Sequence, residues 1–240
     1  MSRWPNADHW ADDDPDLGFL HEMAARVSAA APLPDVLKQI VAFAASVVKC
    51  DSCFVYVLED GYLVLRASKN PHPEIVDRLK LKMGQGITGW VAEHREPVAV
   101  PLKAFEDPRF KVFNDLPEDR FEAFLSVPLV CRGRVVGVIN LQHRRPHLHT
   151  KREIKLISMI GFLVGAEIEM ARLESENSQL SGKLEAQLLL ERAREVLQRD
   201  LKISEQDARL TLQRESRQRH KSVKEVAQAL LLAEDLKNPK

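Results

Sequence analysis

The strongest chemical signal in this sequence is a run of cations toward its end. Arg192, Arg194, Lys202, Arg209, Arg214, Arg217, Arg219, His220 and Lys221 stand there with few acids between Lys202 and Lys224, whereas Asp8, Asp12, Asp13, Asp14 and Asp16 crowd the beginning. The formal net charge is +0, so whole-chain charge argues for neither nucleic acid nor membrane, and charge has to be read by segment. A basic set of this kind neutralises backbone phosphates and binds RNA in a salt-dependent way, although an isolated charge run is more often a solvated helix face. No Phe, Tyr or Trp follows Phe162, which removes an aromatic platform for single strands. Recognition would rest on shape, phosphates and arginine contacts.

Other constellations are weaker. Cys50-Asp51-Ser52-Cys53 has the C-x-x-C spacing of a redox pair or half a zinc site, but no second pair exists. With Cys131 the cysteines number three, an odd count that does not read as a disulfide framework, and buried reduced thiols are expected. His143, His147 and His149 form H-x₃-H-x-H, a spacing that can hold a metal. The intervening Arg144-Arg145-Pro146 reads instead as an exposed loop with surface histidines, and no metal is expected. Gly84-Gln85-Gly86-Ile87-Thr88-Gly89 matches G-x-G-x-x-G, yet the buried strand and parallel βαβ unit of a dinucleotide site are missing, so the glycines read as a tight turn into a helix. No nucleophile, base and orienting group recur at useful spacing, so no catalytic residue is assigned. Asp107-Pro108-Arg109-Phe110, with Phe113 and Asn114, forms a loop in which Arg109 could pair with an anionic ligand.

The elements that must position these residues are legible from periodicity. Residues 1–16 read as a disordered acidic arm. Leu17, Leu20, Met23, Ala24 and Val27 read as a helix capped by Asp16, and a second helix begins near Pro34 with Val36, Leu37, Ile40, Val41, Ala44 and Val47 on its apolar face. Phe54 to Leu58 and Tyr62 to Leu65 flank Asp60-Gly61 as a hairpin; Phe124 to Val130 and Val135 to Leu141 flank Arg132-Gly133 as another. A helix over Gly86 to His94 and a strand over Val98 to Val100 lie between them. Helices flanking an antiparallel sheet make an α+β domain.

From Lys151 every signal is helical. With Leu156, Leu163, Met170, Asn177 and Leu184 at heptad position a, position d holds Met159, Ala166, Leu173, Leu180 and Gln187. A polar Asn at one a position favours two parallel strands, so a parallel homodimer joined through Leu163, Met170, Leu173, Asn177, Leu180 and Leu184 is expected. Ser204 to Asp207 and Ser222 to Glu225 read as capping boxes. Val196, Leu197 and Leu201, then Ala208 and Leu212, then Val223, Val226, Ala227, Leu230 and Leu231 supply three faces of a small bundle. No apolar run reaches the roughly 20 residues of a membrane span and no secretory signal is read, so a cytoplasmic protein without a membrane partner is expected.

The middle block, through Met83-Gly84-Gln85-Gly86-Ile87-Thr88-Gly89-Trp90-Val91-Ala92, Pro97-Val98, Ser126-Val127-Pro128-Leu129 and Gly137-Val138-Ile139-Asn140-Leu141, resembles a GAF sensor domain over residues 17–171. Glu191-Arg192-Ala193-Arg194, Val196-Leu197, Ser204-Glu205, Ala208, Leu212, Arg214 and Val226-Ala227 resemble an ANTAR domain; the coiled-coil stalk and this three-helix module together span 172–236, before a tail at 237–240. The likeness departs at Glu195, usually Gly, and at Arg209, usually aromatic. These resemblances imply a GAF-like α+β domain, a coiled-coil helix and a three-helix bundle. They imply a transcription antitermination regulator whose first domain senses a ligand or partner and whose second binds leader RNA stem-loops. The sensor ligand is expected among Phe54, Tyr56, Trp90, Arg109, Phe110 and Phe113, and its identity and any cofactor are unknown. Two alternatives stay open: a cysteine-based redox sensor or GAF-type methionine sulfoxide reductase, and a coiled-coil interaction scaffold.

Overall fold

The computed structural model describes residue 18 and residues 32–69, 73–110 and 121–237. The acidic arm, the helix expected from Leu17 and the loop residues Phe113 and Asn114 lie outside that set. The chain divides into two compact units, residues 1–171 and 172–240.

In the first unit, helix α1 (Leu33–Val48) starts with Pro34 in its first turn and ends at Lys49 in the left-handed conformation, φ 52°. Strands β1 (Ser52–Glu59) and β2 (Tyr62–Ser68) form the first hairpin, and Asp60 and Gly61 both have positive φ, as a two-residue hairpin turn requires. Strand β3 (Lys80–Lys82) pairs with β2; a single leucine between two lysines gives no apolar run to reveal it in the sequence. Helix α2 (Gly86–His94) and strand β4 (Val98–Val100) have the bounds their sequence suggests. Strands β5 (Ala123–Cys131) and β6 (Arg134–His143) make the second hairpin around Arg132-Gly133.

The six strands form one antiparallel sheet in the order β3-β2-β1-β6-β5-β4. Both faces are covered. Cys53, Val55 and Val57 of β1 point into a core shared with α1 and with Ile157, Ile160, Val164 and Ile168, while Phe54 and Tyr56 point into a second core with Ile87 and Val91 of α2. This explains why β1 reads as a continuous apolar run rather than an alternating one. Pro128 is tolerated in β5 because β4 pairs only as far as Ser126, leaving the chain beyond it at an edge.

Helix α3 (Lys151–Leu201) runs unbroken for 51 residues. A capping box starts it: Thr150 Oγ1 accepts from Glu153 N at 3.1 Å, and Glu153 Oε2 accepts from Thr150 N at 2.6 Å. Leu156, expected in the seam, is instead buried against the sheet with Ile157 and Ile160, because the first turns of α3 close the sensor core.

In the second unit, α4 (Glu205–Arg219) and α5 (Val223–Lys237) pack on the end of α3 around Ala193, Leu197, Ala208, Leu212 and Ala227. Leu201 is exposed and does not join that core. The Ser222–Glu225 box is complete, with Glu225 N donating to Ser222 Oγ at 3.2 Å and Ser222 N to Glu225 Oε2 at 2.8 Å. In the other box Ser204 Oγ accepts from Asp207 N at 3.2 Å, but Asp207 accepts from the Ser204 hydroxyl rather than reaching its backbone N–H.

Gly165 lets α3 lie close on β5, since a Cβ there would stand 2.6 Å from the Val130 carbonyl oxygen. Gly165→Ala should lower stability by about 1–3 kcal/mol, because backbone cannot yield as a side chain does. Gly182, with nothing within 4 Å of its would-be Cβ, should gain up to about 1 kcal/mol on change to Ala. Urea midpoints at unchanged m-value measure both; equal behaviour of the two variants would refute the close approach.

Candidate functional site

The residues of the G-x-G-x-x-G stretch form a turn and a hydrogen-bond chain. Gly84 and Gly86 have φ of 75° and 69°, and Gly89 N donates to Gln85 O at 3.0 Å, so the segment turns tightly into α2. From α2, Thr88 Oγ1 accepts from Asn140 Nδ2 at 2.7 Å, and Asn140 Oδ1 accepts from Ser126 Oγ at 2.7 Å. All three side chains are buried. The chain ties α2 to β6 and β5, satisfying polar groups that would otherwise be costly.

On the same side of the sheet, Phe54, Tyr56, Trp90 and Phe110 join one apolar cluster. Phe54 and Tyr56 meet edge to face at 6.3 Å, and burial pushes the Tyr56 hydroxyl up from its usual range. Trp90 stacks on His94 at 4.0 Å, while the Arg109 guanidinium lies 4.9 Å above the Trp90 ring. Arg109, expected to meet an anionic ligand, is already held: its Nε and Nη2 donate to Asp107 at 2.9 and 2.8 Å. That pair, through its hydrogen bonds, lowers the Asp107 carboxyl below the ordinary range.

The histidines are not where an exposed loop would put them. His143 and His149 are only 5% and 6% exposed, and His147 stacks on His143 at 4.0 Å. Burial, then the neighbouring imidazoles, lower His149 to about 4, and His143 is lowered as well. His143 Nε2, His147 Nε2 and both ring nitrogens of His149 are buried without a hydrogen-bond partner. Each such group costs about 1–3 kcal/mol. His147 N donates to Pro101 O at 2.9 Å, a long-range contact that spacing does not announce.

In the second unit the basic set divides in two. Arg194 pairs with Glu205 at 2.8 Å, Arg219 with Glu215 at 3.0 Å and Lys221 with Glu225 at 3.8 Å. Arg199, outside the expected set, binds Asp200 and Glu234 and so links α3 to α5. Arg192, Lys202, Arg209, Arg214 and Arg217 are exposed and have no ion-pair partner among the described residues. At about 100° per residue, Arg214 and Arg217 lie on the face of α4 opposite buried Ala208 and Leu212, while Arg209 stands on the flank beside Ala208. A groove of about 780 Å³ beside α4 is lined by Leu197, Thr211, Arg214, Val226 and Leu230. Another of about 510 Å³ is lined by Lys183, Leu190, Arg194, Arg209 and Val223.

Along α3, Met159, Met170, Leu173, Leu180 and Leu184 are exposed, Met170 by 55% and Leu180 by 65%, while Leu163 is half-buried. Asn177 lies within this stripe, 3.3 Å from Ser181 Oγ. Among the described residues no helix is long and apolar enough to cross a membrane.

The profile of the GAF domain family matches residues 32–168. This chain belongs to the GAF domain family. An ANTAR domain follows at residues 178–231. The Nif-specific regulatory protein of Azospirillum brasilense is 25% identical over 179 residues, covering 72% of this chain and 28% of that protein. The phosphoenolpyruvate-dependent phosphotransferase system protein of Escherichia coli is 30% identical over 124 residues, 50% of this chain and 16% of that protein. The chain therefore spans well under a third of either relative. Among solved structures, the GAF domain of a phosphoenolpyruvate-protein phosphotransferase from Coxiella burnetii superposes with TM-score 0.63 at 27% identity, covering 72% of this chain and 99% of that one. The free methionine-R-sulfoxide reductase of Neisseria meningitidis superposes with TM-score 0.55 at 15% identity, covering 68% and 96%, which shows a shared fold alone.

The cysteines of this GAF domain are placed as core residues. Cys50 and Cys53 are buried and unbridged; desolvation raises Cys50 to about 11 and raises Cys53 well above its ordinary value. Both are therefore protonated near neutral pH and poor nucleophiles. In the native chain at pH 8, iodoacetamide should modify partly exposed Cys131 first and Cys50 at least about 100-fold more slowly than in the unfolded chain. Peptide mass mapping reads the order. Equal rates at Cys50, Cys53 and Cys131 would restore a redox reading.

Proposed function

We propose that this protein is a signal-responsive RNA-binding regulator of transcription antitermination, in which the GAF domain senses a ligand or partner and the ANTAR domain binds leader RNA stem-loops. The observation that carries the reading is the unpaired cationic face of α4, Arg214 and Arg217, with unpaired Arg209 on its flank, on a domain of the ANTAR family. These guanidiniums project from a rigid helix and need not break an internal ion pair to meet phosphate. Arg194, Arg219 and Lys221 would have to exchange a carboxylate for RNA, so their share of the affinity is smaller. Exposed Glu195 opposes phosphate on the neighbouring helix. The names of the Azospirillum relatives, which are regulatory proteins, agree with a regulatory role. The cluster of Phe54, Tyr56, Trp90 and Phe110 is the proposed ligand face of the sensor, with Arg109 and Asp107 at its rim. A non-enzymatic role is the reading favoured by protonated, buried thiols.

The exposed apolar stripe of α3 supports a parallel homodimer joined through Leu163, Met170, Leu173, Asn177, Leu180 and Leu184. Two copies would then present two basic faces to paired stem-loops, and a signal in the GAF domain would act by shifting the population of helix arrangements.

RNA binding is tested by titrating the full chain with a leader-type stem-loop RNA at several salt concentrations. Arg214→Ala and Arg217→Ala should each weaken binding and make the slope of log K against log salt shallower by up to about one. Salt-insensitive binding, or variants that bind like the parent, would refute the assignment. For the dimer, Leu180→Lys should convert the chain to monomer in sedimentation equilibrium, since a charge would enter the seam at a d position. A parent chain that sediments as monomer would refute the stalk.

A further inference from the structure

We propose that His143, His147, His149 and Glu153 form a binding site for one divalent transition-metal ion of the zinc class. The three imidazoles come from the end of β6 and the loop that follows it, and one ligand nitrogen from each lies within 4.8 Å of the others. Glu153 completes the set from the first turn of α3. Its Oε2 is occupied by the capping box, which leaves Oε1 facing His147 Nε2 at 3.5 Å. Tetrahedral coordination at about 2.0–2.1 Å requires ligand atoms about 3.4 Å apart, a separation this pair already has, while the stacked rings of His143 and His147 must tilt out of parallel for both to reach one ion.

Three features point to a ligand rather than to packing. First, His143 and His149 are more than nine-tenths buried, and their inward nitrogens have no hydrogen-bond partner. Native interiors leave few such groups, and a metal would satisfy them together. Second, the loop is held from several sides: His147 N donates to Pro101 O at 2.9 Å, Glu122 N to His143 O at 2.8 Å and Arg144 N to Asp51 Oδ2 at 2.8 Å. A set of ligands held by backbone anchors loses little entropy on binding. Third, the donors are imidazole nitrogen and one carboxylate, a combination that suits Zn²⁺, Co²⁺ or Ni²⁺ and not the hard oxygen-seeking ions.

The place of the site matters as much as its chemistry. An ion there would join the last residue of β6 to the first turn of α3, the helix that continues to Leu201. It lies at the helix start, away from the aromatic cluster on the opposite side of the sheet.

The full chain, stripped with a chelator and dialysed at neutral pH, is titrated with Zn²⁺ by calorimetry and with Co²⁺ by visible absorption. One equivalent per chain is expected, with a rise in melting temperature and the intense bands of tetrahedral cobalt. His147→Gln and His149→Gln should each weaken binding at least about 100-fold, and Glu153→Gln about 10-fold or more. His147 is partly exposed, so His147→Gln decides the matter even if His149→Gln fails to fold. His94→Gln serves as a control and should bind like the parent. Absence of saturable binding, or binding unchanged in His147→Gln, would overturn the site.

Discussion

The packing of α3 against β5 is the contact on which the rest of the structure depends. Ile157, Ile160, Val164 and Ile168 give this helix one apolar stripe that closes the sheet, and Gly161 and Gly165 allow the backbone of β5 to approach. A helix can bury only one face on a sheet. The stripe carrying Met159 and Met170 is thereby turned away from the sensor core. Removing Leu156 from that second stripe follows from the same geometry, because a residue cannot serve both faces.

The same helix ends among α4 and α5, where a core of small residues, Ala193, Ala208 and Ala227, brings the three helices close. Long cationic side chains then cannot point inward, and the ion pairs Arg194–Glu205 and Arg199–Glu234 join neighbouring helices at the rim. Exposed pairs of this type contribute little stability, because water screens the charges and ordering two long side chains costs entropy. Their larger effect is to divide the basic residues into those already paired and those left available to phosphate. At the other end of α3, Glu153 has a comparable double role: one carboxylate oxygen caps the helix and the other faces His147.

Much of this was legible in the sequence. The turns at Asp60-Gly61 and Arg132-Gly133, the helix from Gly86 to His94 and the start of α1 at Pro34 depend on interactions among residues near one another in the chain, so periodicity and turn chemistry specify them. The GAF and ANTAR likenesses rest on such local signals. Strand β3 was missed because Lys80-Leu81-Lys82 has one apolar residue between two lysines, unlike Val98-Ala99-Val100, and is defined by its pairing with β2.

What the sequence determined by itself was therefore the order of elements, the class of fold and the charge of each segment. Tertiary structure alone decided the surroundings of individual side chains. Arg109 looked available for an anion but is engaged by Asp107 and Trp90. The histidines looked exposed beside Arg144-Arg145, yet the hydrogen bond from His147 to Pro101, separated in sequence by two strands, folds them into the interior. The physical reason is common to these cases. Local structure follows from backbone preference and nearby neighbours, whereas burial, pairing and pKa follow from contacts between distant segments, which no spacing along the chain encodes.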